Sequence, residues 1–101
     1  MKVLWTQSAE RTYFDEIDFI SLKWNESEVD KFVLLVENFI QILESGILIG
    51  RPYNIENVRF SVISKQTSLV YRIYPQKNQI DLLLFWNNKR DPKEFEKFLK
   101  P

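Results

Sequence analysis

The sequence predicts an α+β fold in the order β-α-α-β-β-β-α: a mostly antiparallel sheet with a helical hairpin packed on one face. Two observations divide the chain. From residue 6 to residue 46, apolar side chains recur at spacings of three and four, in two successive stretches. From residue 58 to residue 86, β-branched and aromatic residues dominate, broken by short turns. Between the two regions, "ILIGRPYNIEN" supplies the Gly, Pro and Asn expected of a loop. With 101 residues, 45% hydrophobic and 15% aromatic, the chain is expected to form one ordered domain over residues 1–101.

The elements follow in order. Lys2–Trp5 reads as a short first strand. Thr6 or Ser8 can cap a helix whose apolar stripe is Ala9, Tyr13, Ile17, Ile20 and Trp24. Asn25 or Ser27 can cap a second helix, with Glu26, Glu28 and Asp30 in its first turn, where the helix dipole favours acids. Its stripe is Val29, Phe32, Val33, Val36, Phe39, Ile40 and Leu43, and Gly46 is the expected stop. Three strands follow at Val58–Ser64, Thr67–Tyr74 and Gln79–Trp86, with "PQKN" as the clearer turn and Lys65-Gln66 as the weaker. Asp91-Pro92 opens a last helix, because Asp can cap and Pro suits the first helical position.

Composition excludes several classes of function. The chain has no cysteine, so it carries no disulfide and no thiolate metal site. It has no histidine either, which removes the usual zinc sites and any His-based triad. No metal, cofactor or small-molecule substrate is expected. The opening "MKVLWTQSAER" lacks an apolar targeting core, and runs such as "IDLLLFW" are far too short to span a bilayer. A cytoplasmic protein with no membrane partner is the expectation.

Charge is unevenly spread. Residues 1–50 carry 4 Lys+Arg and 9 Asp+Glu, a net of −5, whereas residues 51–101 carry 10 and 5, a net of +5. A basic half marks either a face for an anionic partner or simple attraction between the halves. Alternation places Val58, Phe60, Val62, Leu69, Tyr71, Ile73, Ile80, Leu82, Leu84 and Trp86 on one face, which should pack on the helices. The other face then holds Arg59, Ser61, Ile63, Ser68, Val70, Arg72, Asp81, Leu83 and Phe85. If Ser64 pairs with Thr67, Arg59 lies across from Arg72; if Tyr74 pairs with Gln79, Arg72 faces Asp81. Arg59, Arg72 and Asp81 are then either a surface ion ladder or a guanidinium pair poised for a phosphate or carboxylate. Val70, Leu83 and Phe85 on that face are covered by the last helix, through Phe95, Phe98 and Leu99, or form a docking groove.

Several stretches together resemble the RelE/ParE superfamily of toxins, the small toxic partners in bacterial type II toxin–antitoxin modules. "KVLWTQSAERTYFDEIDFI" resembles their opening strand and helix, "GRPY" the loop after the helical hairpin, and "LVYRIYPQKNQIDLLLFWNNKRDP" the last hairpin and its exit. The resemblance implies a cytoplasmic protein bound by a cognate antitoxin, with Val70, Leu83 and Phe85 as candidate antitoxin contacts. It also implies one of two targets: DNA gyrase, or the ribosome and its messenger RNA. Arg59 and Arg90 match in kind the basic positions around the RNA backbone in the cleaving branch. Lys65, Arg72 and Lys89 lie in the same region and complete the candidate phosphate- or target-binding set.

The chain departs from the cleaving branch near its end. Those members commonly offer a tyrosine or histidine there, and this chain has Phe95 at or beside that place and no tyrosine after Tyr74. Cleavage by a 2′-hydroxyl needs a base, an acid and cations for the developing charge. If the protein is an RNase, Arg59, Arg72, Lys89 and Arg90 supply the cations. For a base, Glu94 and Glu96 are helix residues expected in solvent, Tyr71 faces the core by parity, Tyr74 sits at a hairpin turn, and a lysine of depressed pKa, such as Lys65 or Lys89, is the remaining candidate. The sequence therefore leans to a ParE-like, target-binding toxin. A ribosome-dependent endoribonuclease is the alternative, and an antitoxin-binding fold of little toxicity the second.

Overall fold

The computed structural model describes residues 1–91, 94 and 97. Its elements are β1 (Lys2–Trp5), α1 (Gln7–Lys23), α2 (Glu26–Glu44), β2 (Arg51–Pro52), β3 (Val58–Val62), β4 (Thr67–Tyr74) and β5 (Gln79–Asn87). A short 3₁₀ turn, Pro75–Lys77, joins the last two strands. The helix expected from Asp91-Pro92, with Phe95, Phe98 and Leu99, lies outside the described residues.

The helices form as their sequences dictate. Thr6 caps α1 by accepting from the Ala9 amide, and Asn25 caps α2 by accepting from the Glu28 amide. Gly46 follows α2 at φ +93°, a conformation that glycine adopts without a Cβ penalty. The stripe of α2 is buried at Val29, Phe32, Val36, Phe39 and Leu43, with Val33 and Ile40 half-buried beside them. On α1, Ala9 and Ile20 are buried, but Trp24 is exposed and Glu16 is buried in its place.

The sheet has five strands in the order β1-β5-β4-β3-β2. β1 runs parallel to β5, and every other pair is antiparallel. β2 falls within the predicted loop: Arg51 and Pro52 pair with Phe60 and Arg59 at the sheet edge. Pro has no amide to donate, so an edge position suits it. Gly50 precedes it at φ +107°, where a Cβ would stand 2.7 Å from the Phe60 carbonyl oxygen.

Two irregularities correct the predicted faces. At the β3–β4 turn, the Ile63 and Ser64 amides both donate to the Thr67 carbonyl, at 2.9 and 3.1 Å. Val62 therefore pairs with Ser68, and Arg59 lies opposite Tyr71, not Arg72. A slip of one residue turns a whole strand over. Val58 and Phe60 move to the outer face, away from the helices, and Arg59 moves to the helix side. The second irregularity is a bulge in β5: Tyr71 pairs with Leu82, and the next pair is Val70 with Leu84. Leu83 is the extra residue, and beyond it Phe85 points into the helix-side core while Leu84 and Trp86 point outward.

The bulge is held from α1 and its cap. The Thr6 hydroxyl donates to the Leu82 carbonyl at 2.7 Å, and the Phe85 amide donates to the Thr12 hydroxyl at 2.9 Å. Backbone groups freed by the irregular ladder thus keep partners. The result is two cores. The larger lies between sheet and helices and includes Leu69, Tyr71, Ile73, Ile80, Leu82 and Phe85. The smaller lies on the outer face, where Val58, Val70, Leu84 and Trp86 are covered by Tyr53, Ile55, Phe60 and Leu83.

Candidate functional site

The antiparallel pairing of β4 and β5 brings the β3–β4 turn beside the exit of β5, and there the chain is knotted by amides. The Asn88 side chain donates to the Ser64 and Lys65 carbonyls and accepts from Ser68 Oγ at 2.6 Å. The Asn88 amide donates to the Gln66 carbonyl at 2.7 Å. Asn87 Oδ1 accepts from the Lys89 amide at 3.0 Å. The "NNKR" segment is therefore a built turn, and it presents Lys89 and Arg90 at the surface close to the turn that carries Lys65. The Arg90 guanidinium lies 4.1 Å from the Trp86 ring centroid and pairs with Glu94 at 3.2 Å. Stacking on an aromatic face holds a guanidinium in place while leaving it charged and partly solvated.

The remaining predicted cations sit elsewhere. Arg59 is on the helix side of the sheet edge, where Nη1 donates to the Gly50 carbonyl at 3.0 Å. Arg72 is on the outer face, with Asp81 as its cross-strand neighbour, as the turn "PQKN" predicts. No ion pair joins Arg72 and Asp81 among the described residues; Asp81 instead accepts from the Gln79 amide group at 2.8 Å. The Arg72 Nε is buried and makes no hydrogen bond, and the side chain borders an open hollow of about 310 Å³ with Ile55, Asn57, Tyr74 and Pro75. The proposed Arg59–Arg72 pair is therefore absent: the two guanidiniums are on opposite faces. Neither the ion ladder nor the guanidinium pair forms. The structure gathers Lys65, Lys89 and Arg90 at one end and separates Arg59 and Arg72.

Val70, Leu83 and Phe85 do not share a face either. Val70 is 0% exposed in the outer core, and Phe85 is 2% exposed in the helix-side core. Leu83, at the bulge, is the one of the three that keeps exposed surface. The bulge is the physical reason: it reverses the alternation of β5 beyond Leu83, so Phe85 turns to the helix side while Val70 stays on the outer face.

Two residues of the site escaped the sequence reading. The first is Glu16, 7% exposed, whose carboxylate accepts from Thr67 Oγ1 at 2.6 Å. Burial pushes its carboxyl above the usual carboxylate range. Hydrogen bonds from Thr67 and Asn87 oppose that shift, Asp15 adds to it, and Arg90 opposes it weakly. One buried carboxyl thus ties α1 to the start of β4 and the end of β5, directly beneath the basic exit. A signal was present, since position 16 falls one turn before Ile20 and two turns after Ala9 on the buried stripe. The second is Lys23 at the end of α1, whose amine Lys89 holds below the ordinary lysine value.

The arrangement can hold anions at a rigid basic rim. Its described titratable neighbours are engaged: Glu94 pairs with Arg90, and Glu16 is buried and accepts from Thr67; Tyr71 donates to the Ile49 carbonyl with its phenol pushed up to about 12 by burial. No group of three or more metal-ligating side chains occurs among the described residues, and no described helix is long and apolar enough to cross a membrane.

No protein-family model matches the chain, and no curated protein matches it in sequence. Solved structures do. A chain of the chromosomal ParDE TA system from P. aeruginosa superposes with a TM-score of 0.71 at 19% identity, covering 86% of this chain and 95% of that one. A copper-bound mutant toxin from Helicobacter pylori gives a TM-score of 0.60 at 16% identity, covering 88% and 96%. Two helices against a five-stranded sheet, matched over most of both chains, identify the architecture: this chain has the RelE/ParE-like fold.

Proposed function

We propose that the protein is the toxin of a type II toxin–antitoxin module, arresting growth by binding a cellular target, with DNA gyrase as the leading candidate, and neutralised by a cognate antitoxin. The observation that carries this reading is the β5 exit: Arg90, stacked on Trp86, and Lys89, on a turn locked by Asn87 and Asn88, form a basic rim, and the Glu94 and Glu16 carboxylates near it are each engaged, by Arg90 and by Thr67. Such a rim can dock an acidic surface or a phosphate backbone, whereas cleavage by a 2′-hydroxyl also needs a proton acceptor within hydrogen-bond reach. The fold match to a ParDE chain supports the toxin class and an antitoxin partner. In this proposal Leu83 is the antitoxin contact, and Arg59, Lys65, Arg72, Lys89 and Arg90 remain the target-binding set.

Expression of the chain alone, with cellular RNA mapped and the DNA-damage response followed, tests the reading. Growth arrest with intact RNA and an induced damage response is the expected result. Codon-positioned cuts in messenger RNA would establish the endoribonuclease instead, with Arg59, Arg72, Lys89 and Arg90 as its cations. Soluble expression without growth defect would leave an antitoxin-binding fold of little toxicity. Arg90→Ala should abolish arrest; full toxicity in that variant would remove the rim from the mechanism.

A further inference from the structure

At the end of the sheet opposite the basic rim stands a guanidinium whose donors are idle. Arg72 lies five residues along β4 from Thr67, roughly 16 Å at the rise of a strand. Its cross-strand neighbour Asp81 accepts from the Gln79 side chain at 2.8 Å and forms no ion pair with it. The half-buried Arg72 makes no hydrogen bond through any of its donors: Nε is sealed from solvent, and the two Nη groups remain open to it. An arginine on a sheet face is ordinarily hydrated or paired with the acid opposite. Here Nε is not hydrated, and the acid opposite is turned to another group.

The hollow of about 310 Å³ that Arg72 borders has two walls tied together. Ile55, Glu56 and Asn57 of the β2–β3 loop form one, and Tyr74, Pro75 and Gln76 the other. The Ile73 amide donates to the Asn57 carbonyl at 2.8 Å and joins them. Asn57 itself sits at φ +64°, a left-handed conformation that asparagine tolerates. Lys77 Nζ lies 5.5 Å from the Tyr74 ring centroid, so a second cation flanks the hollow. Against Arg72 and Lys77 stand two acids, Glu56 and Asp81. That balance suits one negative charge placed on Arg72 and opposes a run of them.

We propose that Arg72 anchors a carboxylate-binding site, and that its occupant is a glutamate or aspartate side chain on an extended segment of a partner protein. A planar carboxylate matches the two open Nη groups with two parallel, charge-assisted hydrogen bonds. Ile55 and Pro75 in the walls offer apolar surface to the residues flanking that acid, which a free carboxylate would leave unused. A nucleic-acid strand fits poorly, because its charge recurs at every nucleotide and would meet Glu56 and Asp81. The inference assigns a ligand chemistry to Arg72 alone. It does not depend on which target the β5 exit serves, or on whether the chain arrests growth.

The test titrates the full chain with a short, end-blocked peptide carrying one glutamate between two leucines, and follows the Arg72 Nε–Hε NMR signal. The same peptide with glutamine in place of glutamate, sodium acetate and inorganic phosphate are titrated beside it. The glutamate peptide should shift the signal saturably and bind about tenfold or more tighter than its glutamine analogue. Arg72→Gln should abolish that binding, and Arg72→Lys, which keeps the charge but not the planar fork, should weaken it several-fold. The comparison of the two peptides uses the wild-type chain, so it holds even where Arg72→Gln fails to fold. Equal binding of the two peptides overturns the site, as does undiminished binding of the glutamate peptide in Arg72→Lys. Acetate that binds as tightly as the peptide overturns the protein segment as occupant, and phosphate that binds more tightly overturns the carboxylate. An Arg72 signal that none of the probes moves overturns the proposal outright. Growth arrest enters none of these readouts, so failure of the toxin reading leaves them unchanged.

Discussion

Thr67→Val examines the buried knot beneath the basic exit. Thr67 is 0% exposed and donates to a carboxylate on another element at 2.6 Å, so valine keeps the shape and deletes the donor. A hydrogen bond to a charged group contributes about 1.5–3 kcal/mol, and a neutral one about 0.5–1.5. The loss should therefore be near 2 kcal/mol where Glu16 is ionised, or roughly 8–16 °C in Tm for a chain of this size. The cost should shrink at low pH, where Glu16 is protonated. Burial raises the folded-state value of Glu16, so the folded chain binds that proton more tightly than the unfolded chain does. Glu16 thus favours folding below its ordinary value, and this contribution is lost as pH rises through the raised one. Removing Thr67 takes away a bond that favours the ionised form and extends that window upward. Urea unfolding at about pH 4 and about pH 8, followed by tryptophan fluorescence, measures both costs; Glu16→Gln should flatten the dependence. Equal costs at the two pH values, with a coupling below ~0.5 kcal/mol in the Thr67→Val, Glu16→Gln cycle, would refute the account.

Other outcomes follow from single contacts. Gly50→Ala should destabilise by about 1–3 kcal/mol or more, because φ +107° disfavours a side chain and its Cβ would stand 2.7 Å from the Phe60 carbonyl oxygen; denaturant unfolding measures it. Tyr71 should be the last tyrosine to ionise in an alkaline absorbance titration, since burial lifts its phenol to about 12. The stability that this neutral phenol contributes is present below its ordinary value near 10 and is lost as pH rises through 12, so Tyr71→Phe should blunt alkaline unfolding. Thr12→Val removes the acceptor of the Phe85 amide, and amide exchange at Phe85 should accelerate if the bulge depends on that bond.

Much of the local structure was legible because its causes are local. Thr6 and Asn25 cap the helices three residues before the amides they bind, and the stripe of α2 is buried as its spacing requires. The pairing of Arg72 with Asp81 follows from the turn between β4 and β5. The candidate site was half legible. Arg90, Lys89 and Lys65 do converge, because the β3–β4 turn and the β5 exit lie at the same end of neighbouring strands. Arg59 and Arg72 do not, because that pairing depended on counting residues through a turn in which one carbonyl takes two amides. Glu16 could have been found from its place on the stripe of α1, but a glutamate there reads as an interruption until its partner is known.

The sequence by itself determined α1 and α2, most of the strands, the basic second half and the absence of histidine and cysteine chemistry, since each is written in neighbouring residues or in composition. Only the tertiary structure decided which face each strand shows and which charges meet. The β5 bulge is held by Thr6 and Thr12, and Glu16 meets Thr67 from another element. These contacts join residues far apart in the chain, and a strand's alternation reverses with one extra residue. A feature that turns on a single residue of register is settled by packing, after the local preferences have been spent.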